Sequence, residues 1–514
     1  MISLLLATAP LHLAAAPLTP SVTPSVTPSP LGAAAHAAGL ASDIEGDLTE
    51  LRGKLATSLE ELALWCHDKK LYLQRDRFYE GLIQVDVDHS KARKTLGYKR
   101  KNKDEPWVLG KYKAPKDRAK PGAMDELEAE REARMEPLRR PLLDVLDQPG
   151  VSRKKRAREA ELYLALAPND RSLRFLMGEM RGVDGDWVNA DVARTRTRRA
   201  ELAEMVQRYT SEVPELEHWP ITGNLADVNL QWTESFQTHR LKATGTGSED
   251  EIRRAATVVH MLEDLLADIL PKAQVEMIGR GKFSRPRDPQ PEMLGKYGVF
   301  LLASPSQIGA LLEGWENLTP EERELFPTLA TALLDGRNSI GVWEADPVKR
   351  LDALVRQVIG IYLRDHYTMS TRQGWVWEGL GLYLTHLAVG TRLTYFIRPS
   401  GYVEANTGPR LGMRLMDANA DWLAILVEEL QKPKPPRLIY MLGKDVNSLS
   451  VREMLLAHGL AAYLTELHPQ RLPVILKRIG AGEDSFLVFE EEFGMKMPEI
   501  EKELETWLRR MIGE

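Results

Sequence analysis

The chain has a single cysteine, Cys66, so no intrachain disulfide can form and a disulfide-built scaffold is excluded. Neither sign of charge dominates. Lys and Arg number 68 against 74 Asp and Glu, and the net charge of -6 gives no general attraction to nucleic acid or anionic membranes. No apolar run is long enough, free of proline, to read as a membrane-spanning helix. The phosphate-loop pattern G-x-x-x-x-G-K-[ST] and the nucleophile elbow G-x-S-x-G are both missing, and 244-TGTGS is too short and isolated for a dinucleotide fingerprint. Cys66 falls on an apolar helical pattern and reads as a small core residue, not a nucleophile. What the chain does have is length: 514 residues allow about two to four domains with ample core.

Residues 1–16, MISLLLATAPLHLAAA, read as a secretory signal with cleavage near Ala14 to Ala16 or later within GAAAHAAGLA, although no Lys or Arg precedes the apolar core. Export to the periplasm or the exterior is the expectation. Residues 17–41 are rich in Pro, Ser, Thr and Ala; the run PLTPSVTPSVTPSP cannot bury apolar surface and predicts an extended linker, with helix starting near Ser42.

Residues 42–200 read as a helical-repeat region. The segment ending at Val108 matches the one ending at Val188, with Gly97 aligned on Gly178 and Trp107 within one residue of Trp187. Each copy predicts a helix, a polar turn, a second helix ending in glycine, a charged turn and Trp-Val. The copies resemble degenerate tetratricopeptide-type helical pairs, which stack to bury apolar stripes and serve as binding or spacing modules. Trp107 and Trp187 are expected to plug the hydrophobic seam. The basic stretches 99-KRKNKD and 111-KYKAPKDRAKPG have mixed-sign neighbours and no interleaved aromatics, so they read as solvated linker and no nucleic-acid partner is expected.

Residues 201–345 change texture. Strand patterns at 227-DVNLQWTESFQTHRLKATG, at 297-YGVFLLAS and at 338-NSIGVWEAD alternate with helix patterns, predicting a small α+β sheet lobe. Residues 346–514 then read as a helical lobe. Asp346 and Pro347 open a helix whose apolar face is Leu351, Val355, Val358, Ile359 and Tyr362, and a short turn leads to a second helix from Trp375 to about Ala388. The fold class is therefore mainly α with an α+β part.

The pattern of a helix, a short turn and then W-x-W-E-G-L-x-x-Y-L at Trp375 to Leu384 resembles the thermolysin-type glutamate-zincin peptidases, especially the peptidase-MA-like group. The tail, with Phe493, Gly494, Trp507 and Leu508, is similar to that family's closing helices, and the likeness covers about residues 230–514. It implies a sheet lobe plus a helical lobe, a peptide held along the sheet edge by strand addition, and zinc held by H-E-x-x-H on the first helix and by a glutamate on the second. Glu378 matches that glutamate. The H-E-x-x-H frame falls on Arg356, Gln357, Val358, Ile359 and Gly360, where no histidine stands. A guanidinium offers no lone pair, glycine offers no side chain, and an amide cannot take a proton from water. The expectation is thus a pseudopeptidase with no catalytic residue and no metal, binding an unknown protein or peptide. The alternatives are a zinc enzyme using other donors, such as His366, His386 or His458, and a purely structural repeat protein. Arg356 is expected to pair either with Glu378, replacing the cross-link a metal would make, or with Asp352 one helical turn earlier.

Overall fold

The computed structural model describes residues 30–513, apart from 103, 114, 183, 223, 272–296, 316–317, 330, 335–338, 394–407 and 447. The signal reading over 1–16 and all but the last residue of the proline-rich run lie outside the described residues, as does most of 391-TRLTYFIRPSGYVEAN, which reads in the sequence as a loop or short hairpin. The chain divides into two compact units that separate between Ala190 and Asp191.

The first unit begins with α1 (Pro30–Asp68), which starts before the expected Ser42. The Ala-rich run has the best helix-forming composition available, so the linker expected to reach residue 41 gives way to helix. On α1, Leu48, Leu51, Leu55, Leu59, Leu62 and Cys66 recur every three or four residues and are buried against Phe78 and Leu82 of α2 (Tyr72–Val85). α3 (Ser90–Thr95) leads into a hairpin of β1 (Tyr98–Lys99) and β2 (Val108–Leu109). The order then recurs as α4 (Ala123–Leu146), α5 (Arg153–Leu164), α6 (Arg171–Leu176), β3 (Glu179–Arg181) and β4 (Trp187–Asn189).

The repeat holds to single contacts. Arg93 Nε donates to Val87 O at 3.0 Å and Arg174 Nε to Pro168 O at 2.9 Å. Gly97 and Gly178 both take positive φ, 83° and 77°, ending α3 and α6 where a side chain would be strained. The indole N–H of Trp107 donates to Asp88 and that of Trp187 to Asn169, each at 3.2 Å, while Arg100 and Arg181 stack on the two rings at 4.3 and 4.6 Å. These indoles therefore do not plug the seam as expected. An arginine covers each face and a polar side chain takes each N–H, so both rings sit half-buried on the hairpins, outside the core.

The second unit opens with α7 (Ala190–Ser211), whose Thr195 accepts a hydrogen bond from Trp507 Nε1 at 2.9 Å and whose Leu202 lies in the second core. That is why the division falls near 190 and not at 200. β5 (Glu217–His218), α8 (Asn224–Asp227), β6 (Glu234–Gln237), β7 (Leu241–Gly245), α9 (Glu249–Ile269), β8 (Tyr297–Leu301), α10 (Ile308–Glu313), α11 (Pro320–Leu325), β9 (Thr331–Leu333) and β10 (Ser339–Val342) follow. The strands form one mixed sheet in the order β5-β6-β7-β8-β10-β9, with β7, β8 and β10 parallel and β9 antiparallel at one edge. Side chains alternate across it. Val299, Leu301, Ile340 and Val342 join the large core, whereas Phe300, Leu302 and Trp343 pack with Leu311 and Phe326 on the other face.

The remaining elements are helical: α12 (Pro347–Tyr367), a π-helical turn (Trp375–Leu380), α13 (Gly381–Val389), α14 (Gly408–Leu415), α15 (Trp422–Leu430), α16 (Leu438–Met441), α17 (Val451–Leu467), α18 (Arg471–Gly480), α19 (Ser485–Phe493) and α20 (Met497–Ile512). Val355, Val358 and Ile359 of α12 share a core with one face of the sheet, so residues 201–345 and 346–514 are joined by a common interior there. The whole is mainly helical with a small mixed sheet. Among the described residues no helix is long and apolar enough to cross a membrane.

Candidate functional site

Asp346 caps α12 by accepting from Val348 N at 2.8 Å, and Pro347 fills the first turn, where its missing N–H costs nothing. This cap sets the rotation of the helix. Arg356 then faces the π-helical turn, and Gly360 lies one turn further along the same side. The turn itself is held tightly: a Cβ on Gly379 would sit 2.4 Å from the backbone of Ala457 on α17, so only glycine allows this approach.

The structure brings Arg356 and Glu378 together. Arg356 Nη2 donates to Glu378 Oε2 at 2.5 Å and to Trp377 O at 2.7 Å, with Glu378 fully buried and the arginine side chain 11% exposed. Burial pushes the guanidinium down to about 10, which leaves it charged at neutral pH, and the nearby Asp352 opposes that shift. Asp352 is itself buried, accepting from Thr391 Oγ1 at 2.7 Å and Leu393 N at 2.9 Å, so it serves to hold the chain after α13.

Gly360 has a neighbour that the sequence did not point to. A Cβ placed there would lie 2.5 Å from Trp377 Cζ3, because the indole occupies that space while its N–H donates to Ser370 O at 2.8 Å. Gln357, half-buried, takes part in none of these contacts. Comparison with known protein families, curated proteins and solved structures finds no match. The reading of this centre rests on its chemistry.

That chemistry does not suit zinc. A catalytic zinc site needs three donors of nitrogen, oxygen or sulfur and an open position for water. Here one position carries a protonated guanidinium, another has no side chain and is covered by Trp377, and the carboxylate is engaged by the guanidinium. The other histidines are placed elsewhere. His366 stacks on Tyr362 with ring centres 4.2 Å apart, and His458 lies between Trp422 and Tyr383, at 4.9 and 5.9 Å. Among the described residues no three of His, Cys, Asp and Glu come together as a metal-binding group. Trp377 was missed in the sequence; the only signal that could have found it is that a bulky Trp377 and a bare Gly360 are complementary in volume.

Proposed function

We propose that this is an exported, non-catalytic peptidase-like protein, a pseudopeptidase that acts in binding or scaffolding at the cell envelope. The observation that carries the reading is the ion pair of Arg356 with Glu378, which puts a guanidinium at the point where a metal would have to coordinate the carboxylate. The resemblance of Trp375 to Leu384 to the glutamate-zincins supports the family reading. The antiparallel outermost strand β9, beside parallel β10 and β8, supports a sheet edge suited to an extended peptide.

Elemental analysis after equilibration with zinc tests this. The expected result is no stoichiometric zinc at this centre, with extended peptides bound and not cleaved. One zinc per chain that vanishes in Glu378→Ala, or cleavage of the peptides, would overturn the reading and point to an enzyme with relocated donors.

A further inference from the structure

The second unit holds a half-open pocket of about 430 Å³ that shares no residue with the ion-pair centre. It lies among α7, α13, α15, α17 and the end of α20, and its size is in the range of small-molecule sites. Its polar wall is unusual in what it leaves unpaired.

His458 is 4% exposed, and among the described residues neither of its ring nitrogens has a hydrogen-bond partner. His386 Nδ1 lacks one too. Burial, with Arg392 nearby, lowers both rings well below the usual histidine range, His386 to about 4, so at neutral pH each is an uncharged ring with one donor and one acceptor. Leaving such atoms buried and unpaired costs stability, and packing alone would be better served by leucine.

The two arginines of the cavity differ. Arg199 Nε is bonded to Glu466 at 2.8 Å, and Tyr383 Oη donates to the same carboxylate at 3.1 Å, so that charge is matched. Among the described residues no carboxylate is hydrogen-bonded to Arg392. It stacks on the Trp422 ring at 4.6 Å and donates from Nη2 to Ala420 O at 2.6 Å, and burial lowers it to about 10. Asp421 also lines the cavity and its charge favours the protonated guanidinium, but its Oδ1 is spent on capping α15, accepting from Leu423 N and Ala424 N. One cation, an aromatic face and three unsatisfied imidazole nitrogens thus line one half-open pocket.

We propose that this cavity binds a small organic monocarboxylate, its anion on Arg392, its body against Trp422, and its polar substituents on His386 and His458. A planar carboxylate matches the fork of the guanidinium. A phosphate dianion would need a second free cation, which the pairing of Arg199 with Glu466 denies it.

The probes are 3-phenylpropionate, hexanoate and the uncharged 3-phenylpropionamide, titrated at pH 7.5 into the full chain by calorimetry and by histidine ring nitrogen resonances. The expected result is binding of the carboxylates, displacement of the His458 resonances and no binding of the amide. Arg392→Gln should weaken the carboxylate at least about tenfold, the loss of one charge-assisted contact. His458→Leu is the second variant, chosen because it should fold: it should raise Tm while weakening binding, an opposite movement that a packing residue would not produce. Equal binding of acid and amide, no binding of any probe, or unchanged affinity in both variants would overturn the proposal. None of these outcomes bears on zinc at Glu378.

Discussion

At the scale of single residues, the decisive contact is a charge pair with almost no water around it. Removing one member strands the other: Glu378→Gln should cost about 3–5 kcal/mol, because Arg356 would remain buried without its counter-charge. Urea unfolding should show this as a lower midpoint at unchanged slope. Replacing both residues by leucine should restore most of the loss, since two apolar side chains escape the desolvation penalty; a double variant as weak as the single would refute the account. Gly360→Ala is a finer probe. Alanine normally gains about 1 kcal/mol over glycine inside a helix, yet here its Cβ would meet Trp377 at 2.5 Å, so a net loss of about 1–3 kcal/mol is expected, relieved when Trp377 is shortened to leucine.

At the scale of elements, the two hairpins of the first unit form a natural duplicate experiment. Trp107→Ala removes one indole hydrogen bond and the Arg100 stack, and Trp187→Ala removes one indole hydrogen bond and the Arg181 stack together with a more distant Arg174 at 5.6 Å. Each should speed amide hydrogen exchange in its own hairpin, near Gly97 to Gly110 or Gly178 to Ala190, by a similar factor and leave the other hairpin unchanged. Unequal or spreading effects would show that the copies differ energetically.

Elements also show what the sequence can and cannot carry. The start and buried face of α12 were readable because cap, proline and periodicity all agree from Asp346 to Tyr362. In the sequence residues 416–440 read as helix, but they break into α15 and α16 because Pro433, Pro435 and Pro436 interrupt the run. The π-helical turn left no trace in the pattern, since i to i+5 bonding changes spacing by one residue within an apolar run. Arg356 and Glu378 could be named beforehand because the motif frame placed them, but the choice between Glu378 and Asp352 needed coordinates. The cavity was illegible: Arg199, His386, Arg392 and His458 come from segments far apart in the chain, and no local spacing joins them.

At the scale of the whole molecule, acid should be destabilising for a specific reason. His386, His458 and His468 are all held below their ordinary value of 6.5, chiefly by burial, with Arg392 acting on the first two and Arg471 and Arg194 on the third. Below about pH 6.5 the unfolded chain therefore binds more protons than the folded one, so stability rises with pH between about 4 and 6.5 and is lost as pH falls through that window. Glu466 acts in the opposite sense, because burial raises its carboxyl and favours the folded state on the acid side. With His260, which burial also lowers, four histidines outweigh one carboxyl, and the urea midpoint should be lower at pH 5 than at pH 7.5. His468→Asn should flatten that dependence; an unchanged slope would mean the ring already titrates normally.

The bridge between α12 and the π-helical turn has one more consequence, which concerns supply. Both of its ends are encoded in the chain, so it is complete as soon as the polypeptide folds and needs no loading from its surroundings. Refolding from urea should proceed at the same rate and to the same yield with a strong chelator as without one. The centre of this protein would then be indifferent to metal starvation, a condition that can disable an enzyme whose fold is tied together by a borrowed ion.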